Sequence, residues 1–180
     1  MREIFKLTWR LLVIAVVAAF ALGATNELTK GPIREQVAAA ADAARIAVLP
    51  DAERFELISE GEGGCDNAFM GLSGANTVGY TAQATANGYG GKIEVIIGVD
   101  LNGIVTGINV GGAGFSETSG LGSKVKNEEF RAQFRGGHGV FGLNGAGETS
   151  VDAVTGATTS SAAVVSAVNT AYAYILELMA

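Results

Sequence analysis

Residues 11–26 (LLVIAVVAAFALGATN) form an uncharged apolar run, and no other feature of the chain limits the possible folds as strongly. The bases Arg2, Lys6 and Arg10 precede this run, and the acid Glu27 follows it. As a helix, these 16 residues would span roughly 24 Å, slightly less than the ~30 Å hydrocarbon core of a bilayer. The run therefore predicts a transmembrane anchor rather than a buried core helix.

A cleaved signal peptide is the alternative interpretation, because residues 21–23 (Ala-Leu-Gly) resemble a cleavage site with small residues at its two key positions. Under either interpretation the basic flank predicts a cytoplasmic N-terminus and an exported body. The chain after residue 10 holds nine Lys or Arg against 17 Asp or Glu. With a net charge of −6, the chain is a poor candidate for binding nucleic acid.

The distribution of glycine marks where the globular part begins. Of the 26 glycines, 24 lie beyond residue 60. The predicted organisation is a cytoplasmic N-terminus (1–10), a transmembrane anchor (11–26), an amphipathic connecting helix (27–50) and an extracytoplasmic domain (51–180). The connecting helix is predicted to start near Pro32 and to end at Pro50. Its apolar stripe is interpreted as core packing and comprises Ile33, Val37, Ala40, Ala44 and Val48.

The domain has the pattern of an α+β fold, with a small antiparallel sheet flanked by helices. Segments 78–86, 92–100 and 103–110 are rich in β-branched residues and predict three strands, the last two joined in a hairpin by a tight turn at 100–103. Segment 61–77 is interpreted as a loop or a short irregular element. A short helix is predicted over 127–134, with Asn127 as its N-cap, and a final apolar helix over 159–178.

The scarcity of metal-ligating residues excludes several kinds of redox centre. One cysteine (Cys65) and one histidine (His138) cannot form a Cys/His zinc site, a self-contained iron–sulfur cluster or an internal disulfide. We interpret Cys65 as an unreactive thiol and His138 as a surface loop residue. No glycine-rich dinucleotide fingerprint opens a βαβ unit.

The segment 152–158, Asp-Ala-Val-Thr-Gly-Ala-Thr, precedes the final helix and is the strongest candidate for a site. A helix N-terminus carries free N–H groups and a positive dipole end, which together favour a phosphate. The threonines here are also ordinary helix N-caps. From the residues alone, both interpretations stay open.

This segment resembles the acceptor motif Asp-x-x-(Ser/Thr)-Gly-Ala-Thr for covalent flavin attachment, and every fixed position is present. The resemblance implies that a flavin transferase links FMN to Thr158 through a phosphoester. Asp152, Thr155, Gly156 and Ala157 would then be the recognition residues, and Thr159 the rival acceptor.

Further segments resemble the G subunit of the Rnf electron-transport complex, a member of the FMN-binding domain family. They are Asn-Gly-Tyr-Gly-Gly-Lys-Ile from Asn87, Val-Asp-x-x-Gly-Ile-Val from Val99, Ser-Glu-Thr-Ser-Gly-Leu-Gly from Ser116, and Phe-x-x-Gln-Phe from Phe130. One departure is Ser119, where the family usually has proline, which would restrict φ. The C subunit of the sodium-pumping NADH:quinone reductase shares the domain and is the alternative.

The resemblance also implies which residues surround the flavin ring. They belong to one loop and comprise Glu117, Thr118, Gly120, Leu121 and Gly122. Lys124 would offer a positive charge to the ring or remain solvated, and Tyr89 would stack on the ring or cover the sheet.

The implied function is an electron relay by covalent FMN in a membrane-bound ferredoxin:NAD⁺ oxidoreductase that couples electron transfer to Na⁺ or H⁺ translocation. The chain would be a non-autonomous redox subunit of this translocase, with no catalytic residue of its own. Its partners would be the other membrane and peripheral subunits and a flavin transferase. It would span the inner membrane once, with the FMN domain on the outer, periplasmic side. A stand-alone flavin-binding sensor and a cofactor-free exported scaffold, in which Thr158 is only an N-cap, remain alternatives.

Overall fold

The computed structural model describes residues 2–180, and its first element is one long helix, α1 (Arg2–Val48). Pro32 lies inside α1, so the helix predicted to start there is part of a longer one. A proline removes one backbone hydrogen bond from a helix and can bend it without ending it. The stripe interpreted as core packing is buried at Val48, whereas Ile33 and Val37 are exposed.

The chain divides into two compact units, residues up to Ala40 and Ala41–Ala180. In the first unit the apolar side chains of α1 are exposed around the helix, among them Leu11, Ile14, Val17 and Phe20. A helix that is apolar on all sides is typical of a membrane span. Within the described residues two helices are long and apolar enough to cross a membrane, α1 and the last helix of the chain, and the second of these is half-buried in the domain.

The second unit contains a five-stranded antiparallel sheet in the order β1-β2-β3-β4-β5. Its strands are β1 (Arg54–Glu60), β2 (Asn67–Ser73), β3 (Asn76–Asn87), β4 (Lys92–Asp100) and β5 (Val105–Gly111). The three predicted strands are confirmed as β3, β4 and β5, and the hairpin joining the last two is confirmed. The interpretation of 61–77 as a loop is wrong, because β2 lies there and pairs with both of its neighbours.

Hydrogen bonds to Asp100 form the turn of the β4–β5 hairpin. Its Oδ1 accepts from the backbone N–H groups of Asn102 and Ile104, each at 2.9 Å. Burial alone would raise the pKa of the Asp100 carboxyl, and these hydrogen bonds outweigh it and lower that pKa. Gly103 adopts φ +77°, a left-handed conformation that suits glycine in a turn.

The helices of the domain follow the sheet in sequence. A 3₁₀ turn (Gly122–Lys126), helix α2 (Glu128–Arg131) and a second 3₁₀ turn (Ala132–Phe134) replace the single short helix that was predicted. Asn127 precedes α2 as expected, but its side chain makes no capping hydrogen bond. Two short parallel strands, β6 (Phe141–Leu143) and β7 (Thr149–Val151), lead to helix α3 (Thr158–Met179), which confirms the predicted final helix.

The main core lies between α3 and the inner strands of the sheet. Ile93, Val95 and Ile97 alternate along β4 and are fully buried, as are Val164 and Val168 of α3. Alternation of this kind puts successive apolar side chains of a strand on one face. The core therefore fixes α3, including its N-terminus, against the strands on which the site is built.

The opposite face of the sheet carries glycines on four neighbouring strands, β2 to β5, and the end of α1 packs there. A Cβ atom on Gly98 would overlap the Val48 carbonyl oxygen, and one on Gly79 would lie 3.0 Å from a Leu49 methyl group. The Thr106 hydroxyl donates to the Val48 carbonyl. The glycines thus let the backbone at residues 48–49 approach the sheet closely.

We expect Gly98→Ala to lower the free energy of unfolding by about 1–3 kcal/mol, because the added methyl group has no room beside the Val48 carbonyl. Gly114→Ala is the matched control, since a Cβ there meets nothing within 4 Å. Thermal and chemical unfolding of the detergent-solubilised chain measure both. Equal stability of the two variants would contradict the close packing described here.

Candidate functional site

A cavity of about 490 Å³ lies at the N-terminus of α3. Three separate segments form it: the β3–β4 turn, the loop before the first 3₁₀ turn, and the start of α3. Seven of the sequence-predicted site residues line this cavity, namely Glu117, Thr118, Leu121, Gly122, Gly156, Ala157 and Thr158. Segments about 30 to 40 residues apart in sequence are therefore brought together as one site.

The other predicted residues lie outside the lining. Gly120 is at the tip of the loop with φ +75°, and Asp152 and Thr155 are exposed on the approach to α3. Asp152 instead lines a separate cavity of about 200 Å³ together with Lys124. Lys124 therefore lines the smaller cavity and not the cavity at the N-terminus of α3.

The Glu117 carboxylate connects the three segments. It is 9% exposed, and both of its oxygens accept hydrogen bonds. Oε1 accepts from the backbone N–H of Gly90 at 3.1 Å, and Oε2 accepts from the Ser160 hydroxyl at 2.8 Å. Hydrogen bonds to an ionised acceptor are about twice as strong as neutral ones, so one side chain fastens the turn, the loop and the helix to one another. Glu117 is therefore a carboxylate that anchors backbone segments to one another.

Two glycines make room for that carboxylate. A Cβ atom on Gly88 would overlap Glu117 Oε1, and a Cβ atom on Gly122 would overlap Oε2. The glycines of the turn and of the loop are therefore required for this arrangement independently of any ligand. The Ser116 hydroxyl adds a further connection by donating to the Gly90 carbonyl at 2.7 Å.

Thr158 is the first residue of α3, and the N-cap position is Ala157, with no side-chain capping hydrogen bond. Thr158 is thus one position after the N-cap, and its hydroxyl does not cap the helix. Within the described part of the chain, the hydroxyls of Thr158 and Thr159 take part in no hydrogen bond, and both residues are exposed at the cavity. The first N–H groups of a helix also lack intrahelical partners. These features fit a phosphate group linked through a threonine.

The segment leading into α3 is held by the buried side chain of Ser161. Its hydroxyl accepts from the Val154 N–H and donates to the Ala157 carbonyl, each at 3.0 Å. The Ala157 N–H closes the turn on the Val154 carbonyl at 2.9 Å, and Gly156 lies within it at φ +76°. The turn that delivers Thr158 to the cavity is thus fixed by the helix that follows.

Gln133 holds the other end of this segment. Its Oε1 accepts from the Asp152 N–H at 2.7 Å, and its Nε2 donates to the Asp152 carbonyl at 3.4 Å. Gln133 thus bonds the backbone of Asp152 and not its carboxylate, and the Asp152 side chain is exposed.

Sequence reasoning does not assign Ser160 and Gln133 to the site. Ser160 is one of four consecutive hydroxyl residues, and nothing in the sequence separates it from the other three; Ser160 and Ser161 are both buried, and only Ser160 contacts Glu117. Gln133 lies in the Phe-x-x-Gln-Phe motif, and nothing in that motif predicts its contact with Asp152. Tyr89, for which stacking on the ring and covering the sheet are both open, is 78% exposed on the rim of the cavity.

Cys65 and His138 do not line the cavity. Cys65 is buried, and desolvation together with the nearby Asp66 and Glu177 raises the pKa of its thiol to about 11. Such a thiol is protonated and unreactive at neutral pH, as interpreted from the sequence. His138 is exposed in a loop, which is also as expected. The described residues contain no group of three or more His, Cys, Asp or Glu that could hold a metal ion.

Comparison with known proteins decides the family. The FMN-binding domain family matches residues 88–173. The G subunit of the Na⁺-translocating ferredoxin:NAD⁺ oxidoreductase complex of Acetobacterium woodii is 35% identical over 187 residues, which cover 93% of this chain and 89% of the relative. The chain belongs to the G-subunit family of ion-translocating oxidoreductase complexes.

Other members of the G-subunit family agree over similar lengths. The G subunit of the ion-translocating oxidoreductase complex of Methanosarcina acetivorans is 32% identical, covering 97% of this chain and 95% of the relative. The corresponding subunit of Escherichia coli K12 is 31% identical, covering 91% and 90%. The resemblance stated from the sequence motifs is confirmed.

Solved structures confirm the fold. The C subunit of the Na⁺-translocating NADH-quinone reductase of Parabacteroides distasonis superposes with a TM-score of 0.50 at 20% identity, covering 61% of this chain and 62% of that one. NqrC of Shewanella oneidensis gives 0.51 at 17% identity, covering 76% and 73%. The α+β FMN-binding fold of this G-subunit family member is therefore shared with these proteins.

We expect Ser160→Ala to lower the free energy of unfolding by about 1.5–3 kcal/mol, because it removes a hydrogen bond to a buried carboxylate. Ser166→Ala, on an exposed turn of the same helix, is the matched control and should change stability little. Unfolding of the full chain in detergent measures both variants. A Ser160→Ala variant as stable as the control would show that the Glu117 contact contributes nothing.

Proposed function

We propose that this chain is the electron-relay subunit of a membrane-bound ferredoxin:NAD⁺ oxidoreductase complex and carries FMN as a phosphoester on Thr158. The observation that supports it most directly is the free Thr158 hydroxyl at the cavity, within a complete Asp-x-x-Thr-Gly-Ala-Thr motif. Its relatives include the G subunits of Na⁺-translocating and proton-translocating ferredoxin:NAD⁺ oxidoreductase complexes. The assembly that contains this chain would couple electron transfer to translocation of Na⁺ or H⁺.

The start of α3 suits the phosphate end of the cofactor. Free N–H groups and the positive end of the helix dipole stabilise an anion there by about 0.3–1 kcal/mol or more. Thr158 stands at the first helical position, so a phosphate on its hydroxyl stays beside those groups. Gly156 leaves the approach open, since a Cβ there would meet only the side chain of Leu121.

The flavin supplies the electron transfer, and this chain supplies position and environment. Leu121 is 46% exposed and Tyr89 78% exposed, and both offer apolar surface to a planar ring at the cavity. Thr118 and Gly122 complete the loop side of that surface. Gly120 supplies the left-handed turn that carries Leu121 to it. The chain is then a redox subunit of a translocase rather than an enzyme by itself.

Asp152 and Thr155 would serve maturation rather than the bound flavin. Both are exposed and lie outside the cavity, where a flavin transferase can contact them before and during attachment. The other proposed partners are the membrane and peripheral subunits that hold the ferredoxin and NAD⁺ sites.

The exposed apolar part of α1 supports a single membrane span. The helix α3 also has the length to cross a bilayer, but half of it is buried in the domain core. With Arg2, Lys6 and Arg10 on the cytoplasmic side, the FMN domain would lie on the outer, periplasmic side of the inner membrane.

Thr158→Ala should abolish flavin attachment, because it removes the acceptor hydroxyl. The full chain, co-produced with a flavin transferase, is denatured and examined by in-gel flavin fluorescence and by intact mass. Thr159→Ala is the matched control and should keep the label, since the neighbouring hydroxyl occupies no fixed position of the motif.

Label surviving on Thr158→Ala would move the attachment site elsewhere. A wild-type chain that stays unlabelled beside an active transferase would favour the cofactor-free scaffold. A labelled chain that never co-purifies with integral membrane proteins would favour the stand-alone sensor.

The proposed topology predicts opposite labelling at the two ends of α1. The native Cys65 is buried and its pKa is raised, so it leaves a quiet background for single-cysteine reporters. A membrane-impermeant maleimide should label Glu129→Cys, exposed on α2, in cells whose outer envelope is permeabilised, and should label Thr8→Cys only after lysis. The reverse pattern would overturn the orientation. An intact mass that lacks residues 1–23 would show a cleaved signal peptide.

A further inference from the structure

We propose that the Glu117 carboxylate keeps the reduction potential of the bound flavin low, an inference that rests on the proposed attachment at Thr158. Of the ten described residues that line the cavity, Glu117 is the only charged one. Lys124, which from the sequence could either face the ring or be solvated, lines the separate cavity with Asp152. No positive side chain in the described lining of the cavity therefore neutralises the negative charge of Glu117.

The geometry keeps this charge in place. Glu117 is 9% exposed, and its two oxygens are fixed by the Gly90 N–H and the Ser160 hydroxyl. Neither donor carries a net charge, and Glu117 makes no ion pair with any residue that the structure describes. A charge in such a poorly solvated position interacts more strongly with its surroundings than one in water.

The charge affects the oxidised and reduced flavin differently. Around neutral pH, two-electron reduction adds two electrons and one proton to the ring system, which goes from neutral to a charge of −1. A fixed carboxylate beside the ring therefore destabilises the reduced form relative to the oxidised form, and charge near the ring is one of the means by which proteins tune flavins. The positive end of α3 would be engaged by the phosphate on Thr158 and so offsets little of this effect.

The effect of Glu117 is measured by replacing it with its neutral isostere. Glu117→Gln keeps both contacts, because its amide oxygen can accept from Gly90 and its NH₂ group can donate to Ser160 Oγ. The full chain, flavinylated in the cell and purified in detergent, is titrated with dithionite and redox mediators while the flavin spectrum is recorded. We expect a midpoint potential at least about 30 mV more positive, which is a tenfold change in the equilibrium constant of a two-electron couple.

Glu60→Gln is the matched control, since it removes one negative charge from an exposed position on β1 outside the cavity. Its potential should equal that of the wild type. Melting temperatures of both variants, measured in parallel, separate a change of potential from a change of stability. A flavinylated Glu117→Gln chain with an unchanged potential overturns the inference and leaves the proposed function standing.

If Glu117→Gln accepts no flavin, Thr118→Lys provides the test while leaving Glu117 and its hydrogen bonds in place. Thr118 is exposed at the same cavity, so the added ammonium should raise the potential by compensating the carboxylate. No rise in that variant overturns the inference. A wild-type chain that carries no flavin beside an active transferase overturns the attachment itself, and with it the inference.

Discussion

The site of this protein depends on one buried carboxylate that joins three pieces of backbone. Glu117 receives the Gly90 N–H from the β3–β4 turn and the Ser160 hydroxyl from the first turn of α3. Removing either donor would leave part of a buried ionised group unsatisfied, which costs more than an average hydrogen bond contributes. Gly88 and Gly122 lie beside the Glu117 carboxylate, and a side chain at either position would displace it. The shape of the cavity therefore follows from contacts within the chain and requires no bound ligand.

The rest of the domain holds the β3–β4 turn and the N-terminus of α3, which Glu117 connects, at a fixed distance from each other. The core between β4 and α3 positions the helix, and the β3–β4 pairing positions the turn. On the other sheet face, close packing of residues 48–49 against Gly79 and Gly98 fastens the end of α1 to the same strands. The end of α1 and helix α3 are thus held on opposite faces of one sheet.

Local patterns predicted those elements whose partners are adjacent in sequence. The alternation in β4 and the Asp100 turn defined a hairpin, and the run 159–178 defined α3. By contrast, β1 is exposed along most of its length and β2 contains no β-branched residue, so neither shows the pattern that predicted the other three strands. In the site, the motif residues and the loop from Glu117 were predicted from a resemblance. The contact with Ser160 was not, because it joins residues 43 apart in sequence and only the packing of α3 brings them together.

Segment 152–158, which contains the proposed acceptor Thr158, presents different residues on two sides. Gly156, Ala157 and Thr158 face the larger cavity, whereas Asp152 lines the smaller one, held there by Gln133. A bound ring in the larger cavity would leave Asp152 exposed, and an enzyme that contacts Asp152 would leave the larger cavity free to accept the ring. Ser161 fixes the turn between the two sides and so keeps the Thr158 hydroxyl at the larger cavity. The spacing of the motif thus follows the geometry of one turn entering a helix, with Asp152 on one side of the turn and Thr158 on the other.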